Sequence, residues 1–447
     1  MNHFFSTHKS ILKLAIPVML SQLGHVTVQL ADNMMVGRLG TTELAAASFA
    51  NSIFVLGMLL GTGICMGLTP LVGKFFLQKK NKELLVYLKN GLSLYSAIGI
   101  FIATILFAIS FMLNKMGQTP EVSQLAQSYL WVLILSIPPL QIFASFKQFL
   151  EGLGNTRVAM IITIGANVIN IAFNYLLIYG KCGFPELGLL GAGIATTLSR
   201  YAMAIAIYCY FRMHKNFCIM LKEMKLISLK FSKMITLLKI GVPIGFQIVF
   251  EVLIFSLAGI MMGWIGVKEL AAHQITISII TASYMASLGI GAATTIKISH
   301  AIGANDFNQV KKLISASTHL TVGLMGSMSI LYILLRYELP TLFSSDIDAI
   351  NISASLFIVA AMFQIFDSLQ VALLSVLRGM TDVNIPMLMA CGAYFLIGTP
   401  ACYLFAFTLN QGALGIWYGL LVSLIAAAAL FAIRVKILIN RYENTLH

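Results

Sequence analysis

Apolar runs longer than the ~20 residues needed to cross a bilayer recur along the whole chain. Short polar stretches carrying lysine, glycine or proline separate them. Within each run the apolarity is continuous. Strands of a membrane barrel would alternate apolar and polar positions, so the runs read as helices. Twelve are expected, at about residues 11–36, 44–73, 91–113, 129–150, 160–179, 187–211, 240–262, 274–299, 321–335, 350–374, 385–407 and 413–435. The ninth has the least marked start, and its pattern is compatible with an earlier one.

The pattern occurs twice. Shifting the sequence by 226 positions lays Lys13 on Lys239, Pro17 on Pro243, Gly37 on Gly263 and Gly40 on Gly266. The same shift lays Glu43-Leu44-Ala45-Ala46 on Glu269-Leu270-Ala271-Ala272. One offset kept across a proline, glycines and an acid marks an internal duplication. Later segments correspond with small shifts: Leu150-Glu151-Gly152 matches Leu377-Arg378-Gly379. Each repeat holds six spans, so both halves enter the membrane the same way up. The expected fold is all-α and polytopic, with twelve transmembrane helices in two parallel six-helix bundles. A pseudo-two-fold axis along the membrane normal relates them. The expected divisions are 1–211 for the first bundle, 212–239 for a basic connector and 240–447 for the second. Gly57, Gly61 and Gly63 suit close helix contact. Pro17, Pro243 and Pro386 are expected near span starts, where a missing amide donor costs little.

Composition agrees with the pattern. Hydrophobic residues make up 59% and charged residues 10% of the chain, against the ~25% charge of globular domains. A signal peptide ahead of a soluble domain is excluded by the recurrence of the runs, and no small-residue cleavage site stands out. Six scattered cysteines lack metal-like spacing. The net charge of +13 sits in membrane-flanking loops, which points to anionic lipid rather than nucleic acid. Lys74, Lys79, Lys80, Lys82 and Lys89 follow the second span, and Arg212 through Lys239 follow the sixth. The alternate loops carry few basic residues, such as Arg38, Lys115 and Lys181. The positive-inside rule then puts both termini, His447 included, in the cytoplasm.

Of the 16 acidic residues, all but Asp32, Glu251 and Asp367 fall in loops or at span ends. A carboxylate in hydrocarbon is expensive, so these three are expected to face protein or water and to be functional. A buried carboxyl group can take a proton or hold a cation, the minimum chemistry of ion-coupled transport. Asp32 is followed by Asn33 and preceded by His25, about two helical turns away. The repeat mate of His25 is Glu251. Asn170 and Asn174 share a helix face, with Asn167 one turn earlier. This stripe suits either cation ligation or interhelical hydrogen bonds. Gln274 and Tyr284 could line a cavity of the second half. The competing readings are structural. Asp32 would support the turn at Arg38, Glu251 a buried hydrogen bond, and Asp367 a polar helix seam. His25 is read second, as a packing residue before a proton carrier.

At these residues the sequence resembles the multidrug and toxic compound extrusion (MATE) family, and in particular its bacterial NorM-like branch. The resemblance rests on Ala31-Asp32-Asn33-Met34-Met35-Val36-Gly37 and on Asn170-Ile171-Ala172-Phe173-Asn174 with Tyr179-Gly180 after it. It rests also on Val242-Pro243 with Phe250-Glu251, and on Gln370 through Leu377-Arg378-Gly379. It implies a monomeric multidrug exporter of the bacterial cytoplasmic membrane, with no cofactor, exchanging organic cations for H⁺ or Na⁺. It further implies that Asp32, Asn170 and Asn174 form a cation site, with Na⁺ as one candidate. By the same resemblance Glu251 and Asp367 are the acids of the second bundle, and Gln274 and Tyr284 contact drug there. One departure stands out. Some Na⁺-coupled relatives have a tyrosine one turn before the position of Asp367, where this chain has Phe363.

Two other classes compete. A lipid-linked precursor flippase should line its cleft with several cations to hold phosphates, whereas the deep charges noted here are acids. A channel or receptor is less suited to two similar halves carrying single buried carboxylates. An enzyme is least expected, because no G-x-x-x-x-G-K-[ST] loop or metal cluster is present in the sequence.

Overall fold

The computed structural model describes residues 2–444. His447, expected on the cytoplasmic side, lies outside the described residues. Among them twelve helical spans are long and apolar enough to cross a membrane. They are α1 (Ser6–Gly37), α2 (Thr41–Leu77), α3 (Asn81–Ser110), α4 (Pro120–Gly152), α5 (Arg157–Tyr179) and α6 (Gly188–Met213). The second set is α7 (Phe231–Ile265), α8 (Val267–Gly303), α9 (Phe307–Leu334), α10 (Ile347–Gly379), α11 (Asn384–Thr408) and α12 (Gly412–Glu443). The duplication is visible in the starts. Thr41 and Val267 open α2 and α8 at the same offset as the sequence repeat, as do Asn81 and Phe307 in α3 and α9.

The helices outrun the apolar segments. The ninth span begins at Phe307, well before residue 321. Asp306 caps it by accepting from the Gln309 amide at 2.9 Å. The backbone ladder runs on beyond the apolar run through Lys311 and Lys312, so apolarity does not mark the helix end. For the same reason Pro17 and Pro243 lie inside their helices rather than in the first turns expected for them. Of these three prolines only Pro386 stands in a first turn.

Those two prolines stand at a division of the fold. The chain packs as two units. A carboxy unit comprises Met1–Met19 with Phe246–His447, and an amino unit comprises Leu20–Gly245. Each boundary falls two residues after a proline, and Met19 and Gly245 are repeat mates. A proline inside a helix deletes one backbone hydrogen bond and permits a kink. The opening segment of each repeat thus packs with the other half of the sequence. In the carboxy unit a Cβ on Gly289 of α8 would sit 3.1 Å from the Ala15 carbonyl. In the amino unit a Cβ on Gly245 of α7 would sit 2.9 Å from the Leu60 carbonyl. The basic connector holds a helix, Lys215–Leu226, and belongs to the amino unit.

Within the carboxy unit α11 contains π-helical turns at Gly392–Gly398 and Leu404–Thr408. Such turns occur often at functional sites. The second of them packs on Gly415 of α12, and the α-helical turn between them packs on Gly419, one turn further along. A Cβ on Gly419 would overlap the Cys402 backbone. Gly419→Ala should therefore destabilise the protein by ~1–3 kcal/mol, read as a lower melting temperature in detergent. Gly323 has nothing within 4 Å of a Cβ, so Gly323→Ala should leave melting unchanged.

Candidate functional site

Each unit contains a polar cluster built around acidic side chains within its spans. In the amino unit α1 supplies Asp32, α5 supplies Asn170 and Asn174, and α6 supplies Thr196 and Arg200. The i,i+4 spacing of the asparagines puts both amides on one face, and both are buried. Asn174 Nδ2 donates to Asp32 Oδ1 and also approaches Asn170 Oδ1 at 3.1 Å. Asn170 Nδ2 donates to Thr196 Oγ1 at 3.3 Å. Asn174 Oδ1 is buried and has no donor among the described residues. A buried acceptor left unpaired costs ~1–3 kcal/mol, so this oxygen favours a proton donor or a cation beside Asp32.

Arg200 was not singled out from the sequence. It is half-buried on α6, donates to Ser136 Oγ at 2.6 Å, and lies 5.0 Å from the Phe54 ring centroid. Its charge reaches Asp32. The signal for it was available: it is a basic residue in the middle of an apolar span. Glu151 was also missed, because it sits at a span end. It is 5% exposed and 3.8 Å from Lys147. The other first-half candidates stand apart. His25 is exposed and within electrostatic reach of Lys147 and Arg200, and no hydrogen bond joins it to Asp32 among the described residues. Asn33 is exposed. Asn167 lies against Gly24, where a Cβ would meet its Nδ2 at 2.6 Å.

The carboxy unit draws its cluster from α7, α8, α10 and α11. Tyr284 OH donates to Glu251 Oε1 at 2.5 Å. Asp367 is buried, and its Oδ1 has no donor among the described residues. The charges of Glu251 and Asp367 act on each other. Gln370 Nε2 donates to Tyr394 OH at 2.8 Å, within the first π-helical turn. Arg378, quoted earlier only as part of a motif, donates from Nη2 to Gln247 Oε1 at 3.1 Å. Its charge reaches Glu251, Tyr284 and Tyr394. Two carboxyl groups and one guanidinium leave the ionised set with one net negative charge. A proton or one monovalent cation neutralises it.

Gln274 does not join this cluster. It precedes Tyr284 by ten residues on α8, about 15 Å along a helix axis, and its side chain is exposed. Phe363 is buried, with its ring 5.5 Å from Trp417 and 5.9 Å from Phe255. No oxygen ligand comes from that position. Among the described residues no three His, Cys, Asp or Glu side chains form a metal-holding group.

Twelve spans from a duplicated unit, with unpaired acceptors buried inside them, define a polytopic membrane protein with polar clusters among its spans. Its sequence matches the MatE family model over residues 17–176 and 243–404. It is 32% identical to a protein of Bradyrhizobium diazoefficiens named "Probable multidrug resistance protein NorM", over 98% of this chain and 95% of that protein. It is 29% identical to "Multidrug resistance protein NorM" of Photobacterium profundum, over 98% and 96%. In fold it is similar to the eukaryotic MATE transporter AtDTX14, with a TM-score of 0.86 at 21% identity, covering 99% of this chain and 100% of that one. An outward-facing multidrug resistance MATE family transporter gives 0.89 at 19% identity, covering 98% and 97%. The chain belongs to the MatE family, whose members are membrane transporters and not enzymes. The expected all-α, twelve-helix, two-bundle fold class is borne out.

Proposed function

We propose that the protein exports amphipathic organic cations in exchange for an inward-moving H⁺ or Na⁺. The observation that carries this reading is the set of buried acceptors without donors, Asn174 Oδ1 beside Asp32 and Asp367 Oδ1 near Glu251. Each sits where an added positive charge would be welcomed. Ion and cationic cargo then compete for the same net negative charge. Outside, the ion loads and cargo leaves; inside, the ion departs and cargo is favoured again. This competition enforces exchange with few charged groups. The relatives named as multidrug resistance proteins support the export of several drugs.

Between the two ions the environment of Phe363 favours H⁺ in the carboxy unit, because a proton needs no further oxygen ligand. Asp32, Asn170 and Asn174 offer oxygens that could also hold Na⁺. Tyr284 touches Glu251 and is the better placed of the two drug-contact candidates. Aromatic contact with a desolvated cation contributes ~2 kcal/mol. His25, Asn33 and Asn167 stay secondary. The protein acts as a single chain in the cytoplasmic membrane of a bacterium, with the connector and both termini on the cytoplasmic side.

Purified protein in proteoliposomes tests the reading. An imposed pH gradient should drive ethidium efflux, and adding ethidium should provoke H⁺ flux. Efflux driven by Na⁺ alone would overturn the proton preference and keep the exchange. Arg200 and Arg378 give the flippase reading its one support, so a lipid-linked sugar phosphate belongs in the same assay. Its preferential movement would replace the exporter reading. Impermeant thiol labelling checks orientation. Cys218, in the connector, should react only after the membrane is opened.

A further inference from the structure

The first turns of α1, the last turns of α8 and the first turns of α9 line an open cavity of 260 Å³. Ser6, Thr7, Ser10, Lys297, Gln309 and Lys312 line it, and all six belong to the carboxy unit. Lys297 is half-buried, and the charge of Lys13 also reaches it. Among the described residues none of Lys13, Lys297 and Lys312 is in an ion pair. The two nearby acids are engaged elsewhere. Asp306 caps α9, and Glu443 pairs with Lys311.

The internal repeat supplies a comparison. At the 226-residue offset Thr7 corresponds to Lys233 and Gln309 to Glu83. In the amino unit those two residues close the same place with a 2.8 Å ion pair. Lys297 and Lys312 correspond to Leu71 and Val86, both buried. The carboxy unit therefore lacks the closing pair and gains two cations where its repeat has apolar side chains. A merely solvated helix end has no need of a half-buried ammonium group, Lys297, converging with the exposed Lys312 and the side chain of Gln309.

We propose that this cavity binds a phosphate group. Several acceptor oxygens on one anion match the two ammonium groups and the side-chain amide of Gln309, while the Ser10 hydroxyl donates to the Thr7 carbonyl at 2.8 Å and fixes the first turn of α1 at the rim. The cavity lies at the ends of spans, the level of a phospholipid headgroup, and on the lysine-rich side of the membrane. A phosphate there ties the opening segment of α1 to α8 and α9 and relieves the repulsion between the lysines.

Native mass spectrometry of the detergent-solubilised full chain tests this independently of transport. Phosphatidylglycerol should remain bound to the unmodified protein. Lys297→Gln with Lys312→Gln should weaken its binding about ten-fold or more. Gln309→Glu restores the acid that the amino unit carries and should weaken binding comparably while keeping both lysines. Lys233→Gln, which breaks the ion pair of the amino unit, should change nothing. Competition identifies the source: displacement of the lipid by millimolar inorganic phosphate assigns the site to soluble phosphate compounds, and persistence assigns it to a headgroup. Unchanged binding in both the double variant and Gln309→Glu overturns the proposal, as does failure of both probes to bind the unmodified protein. Should the double variant not yield folded protein, Gln309→Glu decides alone.

Discussion

Asp32→Asn should abolish gradient-driven efflux while membrane insertion and melting temperature stay close to those of the unmodified protein. The substitution keeps the shape and the hydrogen-bonding reach toward Asn174 but removes the charge. Coupling between ion and cargo is a free energy of ~1–3 kcal/mol, worth about five- to 150-fold in affinity. Loss of the charge removes the amino unit's share of it. Arg200 sharpens the expectation. Its charge acts on Asp32, so with Asn at 32 the cluster keeps one uncompensated cation, which disfavours cationic cargo as well. Adding Arg200→Gln separates the effects. Ethidium binding should recover in the double variant, measured by fluorescence in detergent, while pH-driven efflux from proteoliposomes should not. Full gradient-dependent efflux by Asp32→Asn alone would remove Asp32 from the coupling role and leave it to Glu251 and Asp367.

The second large effect is expected from the carboxy unit. Glu251→Gln together with Asp367→Asn should make cargo binding independent of pH there. In the unmodified protein acidification loads protons and displaces cargo, so affinity for a cationic dye should rise with pH. The double variant keeps an oxygen to accept from Tyr284 OH, so the fold should survive. It also leaves Arg378 as the unbalanced charge, and dye affinity should fall by about ten-fold or more at neutral pH. Dye titration between pH 5.5 and 8.5, roughly spanning the range of functional carboxyl titration, reads both effects. A pH dependence identical to that of the unmodified protein would place proton competition entirely in the amino unit.

The helices, their number and the duplication were legible because membrane burial demands unbroken apolar runs and because one offset survives across special residues. Asp32, Glu251 and Asp367 were legible because an acid inside such a run is costly enough to need a reason. Asn170 and Asn174 could be paired from spacing alone. The partners could not. Glu251 meets Tyr284 and Asp32 meets Asn174 across elements far apart in the chain, and periodicity within a helix carries no information about which helix it faces. Arg200 was visible as a lone charge, yet its relation to Asp32 needed the packing of α1, α4, α5 and α6. Gln274 shows the converse. Helical rise alone separates it from Tyr284, although a shared span suggested a shared cavity.

The exchange of the opening segments was decided by tertiary structure alone. Pro17 and Pro243 were seen in the sequence, but helices that extend beyond their apolar runs turned them from first-turn residues into interior ones. Two residues after each, the packing changes unit. The sequence by itself determined the membrane class, the repeat and the costly acids, because each follows from local composition and its price in hydrocarbon. The assembled clusters, the half-buried arginines beside them and the lysine-lined cavity depended on the tertiary structure, because a hydrogen bond or a charge contact is a property of distance in space, not of position along the chain.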